Sequence, residues 1–245
     1  MRLTLFLCCS FAAAWAGDVK AVDGFESPKL SNVWSSMMLS SGAIDIQSDI
    51  VRAGKSALRI TLTRGDNFDD GGGIHNPNER DELMEAIALW SLPDTTYSYS
   101  FSMLIPADFP IVPDRLVIAQ WKHLCGKKSC DPDNPIIAFR FEKGVFRVTL
   151  QTSRRMTTLY QTSDDIRNRW LDFRFQVRFS RQTTGLVKGW LNDKQIVDYQ
   201  GVTAYPESGG YPREMRFYFK MGLYRDAMKE PMTIYLDEYR KEQLP

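Results

Sequence analysis

From residue 20 onward, apolar and polar residues alternate in short runs that end at Gly, Pro, Asn or Asp. The run from Ala57 to Thr63 sets Leu58, Ile60 and Leu62 on one face, and Tyr97 to Met103 sets Tyr97, Tyr99, Phe101 and Met103 against Ser98, Ser100 and Ser102. The cleanest case is Leu171 to Phe179, where Leu171, Phe173, Phe175, Val177 and Phe179 oppose Asp172, Arg174, Gln176 and Arg178. A period of two is that of a strand buried on one side. Gly189 to Val197 predicts a hairpin turning at Asn192-Asp193, and Thr233 to Tyr239 predicts a closing strand. With no long helical pattern, repeat or linker, the chain reads as a single all-β unit, a sandwich or barrel. The glycine-rich stretch Asp69 to Gly73 reads as a loop, because no GK[ST] element follows it.

The 245 residues are 43% hydrophobic and 25% charged, enough for a full core. Arg2, the apolar run Leu3 to Ala13 and the small residues of Ala14-Trp15-Ala16 predict an export signal over residues 1–16, leaving 17–245 as the mature domain. Lipid attachment at Cys8 is the weaker alternative. No later stretch approaches the roughly 18 apolar residues a membrane span needs. A secreted or periplasmic monomer with no membrane partner is therefore expected. Cys125 and Cys130 then pair as a small disulfide loop, since two thiols alone make a poor zinc site. Charge is nearly balanced, 31 basic against 30 acidic residues, which argues against nucleic acid as a partner.

Three segments carry candidate chemistry. Phe217 to Arg225 alternates core residues with Tyr218, Lys220, Gly222 and Tyr224, and Gly222 is a place where a ligand could approach closely. Leu116 to Lys122 sets Gln120 and Lys122 opposite Val117, Ala119 and Trp121, while Glu79 to Leu83 puts Arg80 and Glu82 on one face. If these strands are neighbours, their side chains form one polar floor.

The segments Arg80-Asp81-Glu82-Leu83, Gln120-Trp121-Lys122-His123 and Tyr218 to Tyr224 resemble, in the same order, the R-x-E-L, Q-[IV]-H and Y-F-K-x-G-x-Y motifs of jelly-roll alginate lyases. Asp23 to Glu26, Gly54 to Arg59 and Gly189-Trp190 are more similar to the heparin-lyase-like and glucuronan-lyase-like group. The resemblance implies a β-jelly-roll sandwich of two antiparallel sheets with a concave groove for an anionic polysaccharide. It also implies β-elimination at a uronate residue with no required cofactor. Lys122 stands where the motif has His, with His123 one place later.

Such a lyase must neutralise the uronate carboxylate, take the proton at C5 and protonate the departing glycosidic oxygen. Arg80 and the Gln120 amide suit the first task. The family pattern makes Tyr224 the acid and, in syn elimination, the base as well. A phenol ordinarily titrates near pH 10, so cations such as Lys220 or Arg225 are needed to favour its phenolate. Tyr224, His123, Lys122 and His75 all stand as candidates for the base. Glu82 orients Arg80, and His75, Glu82, Lys122, Tyr218, Lys220 and Arg225 are the expected substrate-binding residues. Glu26 and Asp237 are candidates for a structural calcium, although two carboxylates are too few to make a site. A lectin-like binding protein on the same fold is the competing function. A retaining hydrolase lacks a convincing pair of closely spaced carboxylates.

Overall fold

The computed structural model describes residues 17–35, 39–66, 78–111, 115–126 and 130–245. The predicted export signal, the glycine-rich loop at 69–73 and His75 lie outside the described residues. In chain order the strands are β1 (Asp18–Asp23), β2 (Trp34–Ser35), β3 (Ile44–Gln47), β4 (Ala57–Leu62), β5 (Asn78–Glu85), β6 (Thr96–Leu104), β7 (Leu116–His123) and β8 (Ile137–Glu142). They continue as β9 (Val145–Gln151), β10 (Met156–Thr162), β11 (Trp170–Arg178), β12 (Leu186–Leu191), β13 (Lys194–Gln200), β14 (Phe217–Asp226) and β15 (Met232–Gln243). They form two antiparallel sheets. The first runs β13-β12-β11-β6-β15-β4-β3, with β1 also on β15, and the second runs β10-β9-β8-β7-β14-β5-β2. The result is a β-jelly-roll sandwich.

Alternation in the sequence becomes burial here. Tyr97, Tyr99, Phe101 and Met103 of β6 and Leu171, Phe173, Phe175 and Val177 of β11 all point into the space between the sheets. They meet Trp121 of β7, Phe139 of β8 and Phe219 of β14. Trp121 packs against Phe219 with ring centroids 4.6 Å apart and meets Tyr99 edge-on at 5.3 Å. Each such ring contributes about 1.5–3 kcal/mol of burial, and the tilted contacts add to it. The hairpin between β12 and β13 turns at Asn192 and Asp193, which take φ values of 47° and 63°. Left-handed backbone at both central residues matches the twist of the flanking strands. Cys125 and Cys130 form the disulfide. No helix among the described residues is long and apolar enough to cross a membrane.

A buried ion pair ties the sheets together. Lys241 of β15 reaches across the sandwich to both carboxylate oxygens of Glu85 on β5, at 3.0 and 3.1 Å, and Tyr239 donates its hydroxyl to the same carboxylate at 2.5 Å. Near the β1 end, the candidate calcium carboxylates are occupied by backbone. Glu26 accepts the N–H of Lys55, and Asp237 accepts those of Arg52, Ala53 and Glu238. Among the described residues, no group of three His, Cys, Asp or Glu side chains is placed to hold a metal.

Strand order decides what the second sheet presents. β14 lies between β5 and β7, so the three motif-bearing segments are immediate neighbours. Tyr224 pairs with Arg80 and Gly222 with Glu82 on one side, and Lys220 pairs with Gln120 and Tyr218 with Lys122 on the other. The register slips by one residue between Met221 and Tyr224 against β7, and again between Val117 and Ala119 against β8. These bulges turn Val117 to the face of Tyr224 and Arg140, although strict alternation groups it with Ala119 and Trp121. Gly222 has a local cause as well. Its φ is +145°, and a Cβ there would sit 2.3 Å from the Asp81 carbonyl oxygen. The close approach that requires glycine is thus by the neighbouring strand, and no ligand is needed to explain it.

Candidate active site

Side chains of paired residues in neighbouring strands lie on the same side of a sheet. Arg80 and Glu82 of β5, Tyr218, Lys220 and Tyr224 of β14, and Gln120 and Lys122 of β7 therefore share the face turned away from the sandwich core. Glu82 is the hub. One of its oxygens accepts the Gln120 amide at 2.5 Å, and the other accepts Lys220 Nζ at 3.0 Å and lies 3.1 Å from Arg80 Nε. Burial by itself pushes the Glu82 carboxyl up, but Lys220, Arg80 and the Gln120 hydrogen bond together outweigh it and hold the group below its usual range. Burial pulls the Lys220 ammonium down to about 8 against the opposing pull of Glu82. Both groups stay charged at neutral pH.

Exposure separates support from contact. The Glu82 and Lys220 side chains are 0% and 2% exposed, whereas Arg80 keeps 19%. The first two form the foundation, and Arg80 is what an incoming ligand would meet. Its guanidinium carbon lies 4.0 Å from the centroid of the Tyr224 ring, with that of Arg115 at 4.6 Å. A cation near an aromatic ring is attracted to it, and here the ring belongs to the candidate proton carrier. The Tyr224 hydroxyl accepts a hydrogen bond from Asn78 Nδ2 at 3.0 Å.

The remaining residues border this centre. Tyr218 stacks on Trp90 with centroids 4.9 Å apart, and burial raises its phenol while Lys122 opposes that. Lys122 pairs with Asp133 at 2.7 Å. Arg140 and Arg147, side by side on β8 and β9, flank Glu142 at 3.8 and 3.4 Å. Among the described residues of this face, Arg80, Lys122, Lys220, Arg115, Arg140 and Arg147 outnumber their partners Glu82, Asp133, Asp226 and Glu142, which leaves these groups with a net positive charge.

Two expected site residues stand elsewhere. His123 follows the alternation of β7 onto the opposite face, stacked on Tyr211 at 4.6 Å and packed on Phe217 at 4.7 Å. Burial, with Arg181 adding to it, depresses its imidazole to about 3. The structure does not bring it to Tyr224. Arg225 also faces the sandwich interior, where its guanidinium binds Glu79 at 2.7 Å. It is a partner for a buried carboxylate and lies on the wrong side of β14 to support the Tyr224 phenolate. Arg174, Gln176 and Arg178 belong to β11 in the other sheet and face away from this centre.

His123→Phe should therefore retain most of its turnover on a cleaved polymer. The folded-state imidazole titrates below its ordinary 6.5, so the unfolded chain gains a proton that the folded chain refuses, and stability falls as pH drops from about 6.5 toward 3. In the Phe variant that loss is absent, and acid unfolding should begin at lower pH. Steady-state rates and an acid titration followed by circular dichroism check both points.

Asn78, Arg115 and Arg140 complete the centre and carried no motif. Asn78 extends the period-two series of Arg80 and Glu82 by one step, and Arg140 sits between Ala138 and Glu142 on the polar side of β8. Arg115 lies just before β7, where no periodicity marks it.

A two-sheet jelly roll with a cationic, phenol-bearing face has the makings of a carbohydrate-active protein. The chain belongs to the polysaccharide lyase family, whose model matches residues 14–240. Among solved structures it is similar to an endo-β-1,4-glucuronan lyase from the fungus Trichoderma reesei, with 16% identity and a TM-score of 0.66 over 85% of this chain and 89% of that one. It is also similar to a family 7 alginate lyase, with 12% identity and a TM-score of 0.58 over 84% and 83% of the two chains. A glycoside hydrolase family 131 β-glucanase catalytic domain from Podospora anserina shares the fold at 11% identity and a TM-score of 0.59, over 85% and 84%. At these identities the likeness is one of fold. A comparison with curated proteins by sequence finds no match.

Proposed function

We propose that this polysaccharide lyase cleaves a uronate-containing polymer by β-elimination, with Arg80 and Tyr224 at the reacting sugar. The observation that carries the reading is the meeting of an arginine and a tyrosine hydroxyl on one cationic face, 4.0 Å from guanidinium carbon to ring centroid. Arg80, its Nε edge set against Glu82, neutralises the uronate carboxylate and so lowers the cost of the carbanion formed when C5 loses its proton. Gln120 and Lys220 keep Glu82, and hence Arg80, in place. Tyr224 takes the C5 proton as phenolate and returns it to the glycosidic oxygen. The C4–O bond breaks, a C4=C5 double bond forms, and no cofactor is consumed. Lys122 and Tyr218 hold neighbouring sugars. The disulfide supports work outside the reducing cytosol, in a secreted or periplasmic protein.

The test is a panel of glucuronan, alginate and heparin, followed by the ultraviolet absorbance of the unsaturated uronate. The expected result is a rise on at least one polymer. New reducing ends without ultraviolet absorbance would favour hydrolysis, a reading that the family 131 β-glucanase likeness keeps in the comparison. Retention on a polymer column without any product would mark a carbohydrate-binding protein and end the lyase reading.

A further inference from the structure

The Tyr224 hydroxyl is the end of a chain of polar contacts whose other members, Asn78, Arg115 and Asp226, lie outside the three motif segments. Asn78 Nδ2 donates to the phenol oxygen at 3.0 Å, and Asn78 Oδ1 accepts from an Arg115 terminal nitrogen at 2.5 Å. Arg115 is in turn anchored to Asp226, through its side chain at 2.9 Å and its backbone N–H at 3.3 Å. The order of donors along this chain is fixed. A guanidinium has only N–H groups to offer, so the Asn78 oxygen must face Arg115 and the amide N–H must face Tyr224. Turning the amide over would set two donors against each other. With an N–H already directed at the phenol oxygen, the hydroxyl's own hydrogen has to point away from Asn78.

We infer that Asn78, locked by Arg115 and Asp226, is a positioning residue that aims the Tyr224 hydroxyl proton at the substrate and stabilises the phenolate when that proton has left. The inference rests on the lyase reading for its kinetic consequence, but the contacts themselves do not depend on it. A hydrogen bond donated to an ionised oxygen favours the ionised form. Among the described residues the other charges near the phenol ring are cationic: Arg80 and Arg115 against the ring, and Arg140 two strands away, beside Val117. The carboxylates of this neighbourhood, Glu82, Asp226 and Glu142, are each paired to one of those arginines. The neutral donor on the oxygen is therefore the contact most directly coupled to where the proton sits.

The test uses the full chain and two substitutions, Asn78→Leu and Asn78→Asp. Both are close to asparagine in size, and both remove the N–H. Expected is a fall in kcat of about 10- to 100-fold, by analogy with the loss when hydrogen-bond partners that orient metal ligands are removed, with KM within about twofold. The limb of the pH–rate profile governed by the phenol should move to higher pH, because loss of the donor disfavours the phenolate. Aspartate also sets a carboxylate beside the phenol, which by itself disfavours the phenolate, so the uncharged Asn78→Leu is the variant that reports loss of the donor. Wild-type kcat and an unmoved pH limb in Asn78→Leu would therefore overturn the inference, as would a loss confined to KM. If Asn78→Leu does not fold, Asn78→Ala, which also removes the donor without adding charge, takes its place. A second readout separates this inference from the lyase reading. The ultraviolet tyrosinate signal of wild type minus Tyr224→Phe should develop at lower pH than the same difference measured in the Asn78→Leu background. If no uronate polymer is cleaved, the reaction assignment fails while this titration still tests the contact; coincident difference curves overturn the contact whatever the substrate.

Discussion

Tyr224→Phe is expected to lose about 100- to 10,000-fold in kcat, the range that general acid–base groups typically supply, while the protein stays folded and retained on its polymer. The substitution removes one oxygen atom. Packing of the ring under the Arg80 and Arg115 guanidiniums, at 4.0 and 4.6 Å from its centroid, is kept. The oxygen lost is the one that would carry the proton from C5 to the departing glycosidic oxygen, and among the described residues no other phenol on this face is placed to replace it. Tyr218 is two pairs along the strand from Lys220, stacked on Trp90. Initial rates from ultraviolet absorbance, beside equilibrium retention on the same polymer, check the split. Near-full turnover in the variant would remove Tyr224 from the reaction and leave the cationic face as a binding surface.

Glu82→Leu is expected to cost about 3–5 kcal/mol of stability, the range for removing one partner of a buried charge pair, and to abolish most turnover. Leucine approximates the volume but leaves the Lys220 ammonium, 2% exposed, without its carboxylate, and it removes the acceptor of the Gln120 amide. Arg80 loses the contact that holds its Nε edge. Urea unfolding gives the stability change and the ultraviolet assay gives the rate. Glu82→Gln keeps the acceptor oxygen for Gln120 but loses the charge, so it should fall between the wild type and the leucine variant in both measurements. A leucine variant with wild-type stability would mean that Lys220 has discharged its proton or found water, and that the hub is less tightly closed than its geometry indicates.

How much of this centre could be read beforehand follows the range of the interactions. Tyr97 to Met103 and Leu171 to Phe179 announce their buried faces because the pleat fixes side chains at a period of two, whatever the partner strand. Asn192-Asp193 marks its hairpin because those two residues tolerate left-handed backbone better than most. His123 shows the limit of proximity in sequence. It sits one place from Lys122, and in a strand that single step carries it through the sheet to the other side. Arg225 is lost to the site by the same step from Tyr224. Asn78, Arg115 and Asp226 are invisible as a group until β5, β7 and β14 are side by side, because each taken singly is an ordinary polar residue near a strand end.

The amino-acid sequence alone determined the class of fold, the buried faces of the long strands, the hairpin turn and the residue types able to handle an acidic sugar. These depend on alternation, turn chemistry and side-chain chemistry, which act between near neighbours along the chain. The tertiary structure alone decided that β14 lies between β5 and β7, that two bulges bring Val117 beside Tyr224 and Arg140 beside Val117, and that Glu82 is sealed beneath Arg80 while His123 and Arg225 turn inward. Strand order, register and bulge position depend on contacts between residues far apart in the chain, where a shift of one residue exchanges the two faces of a sheet.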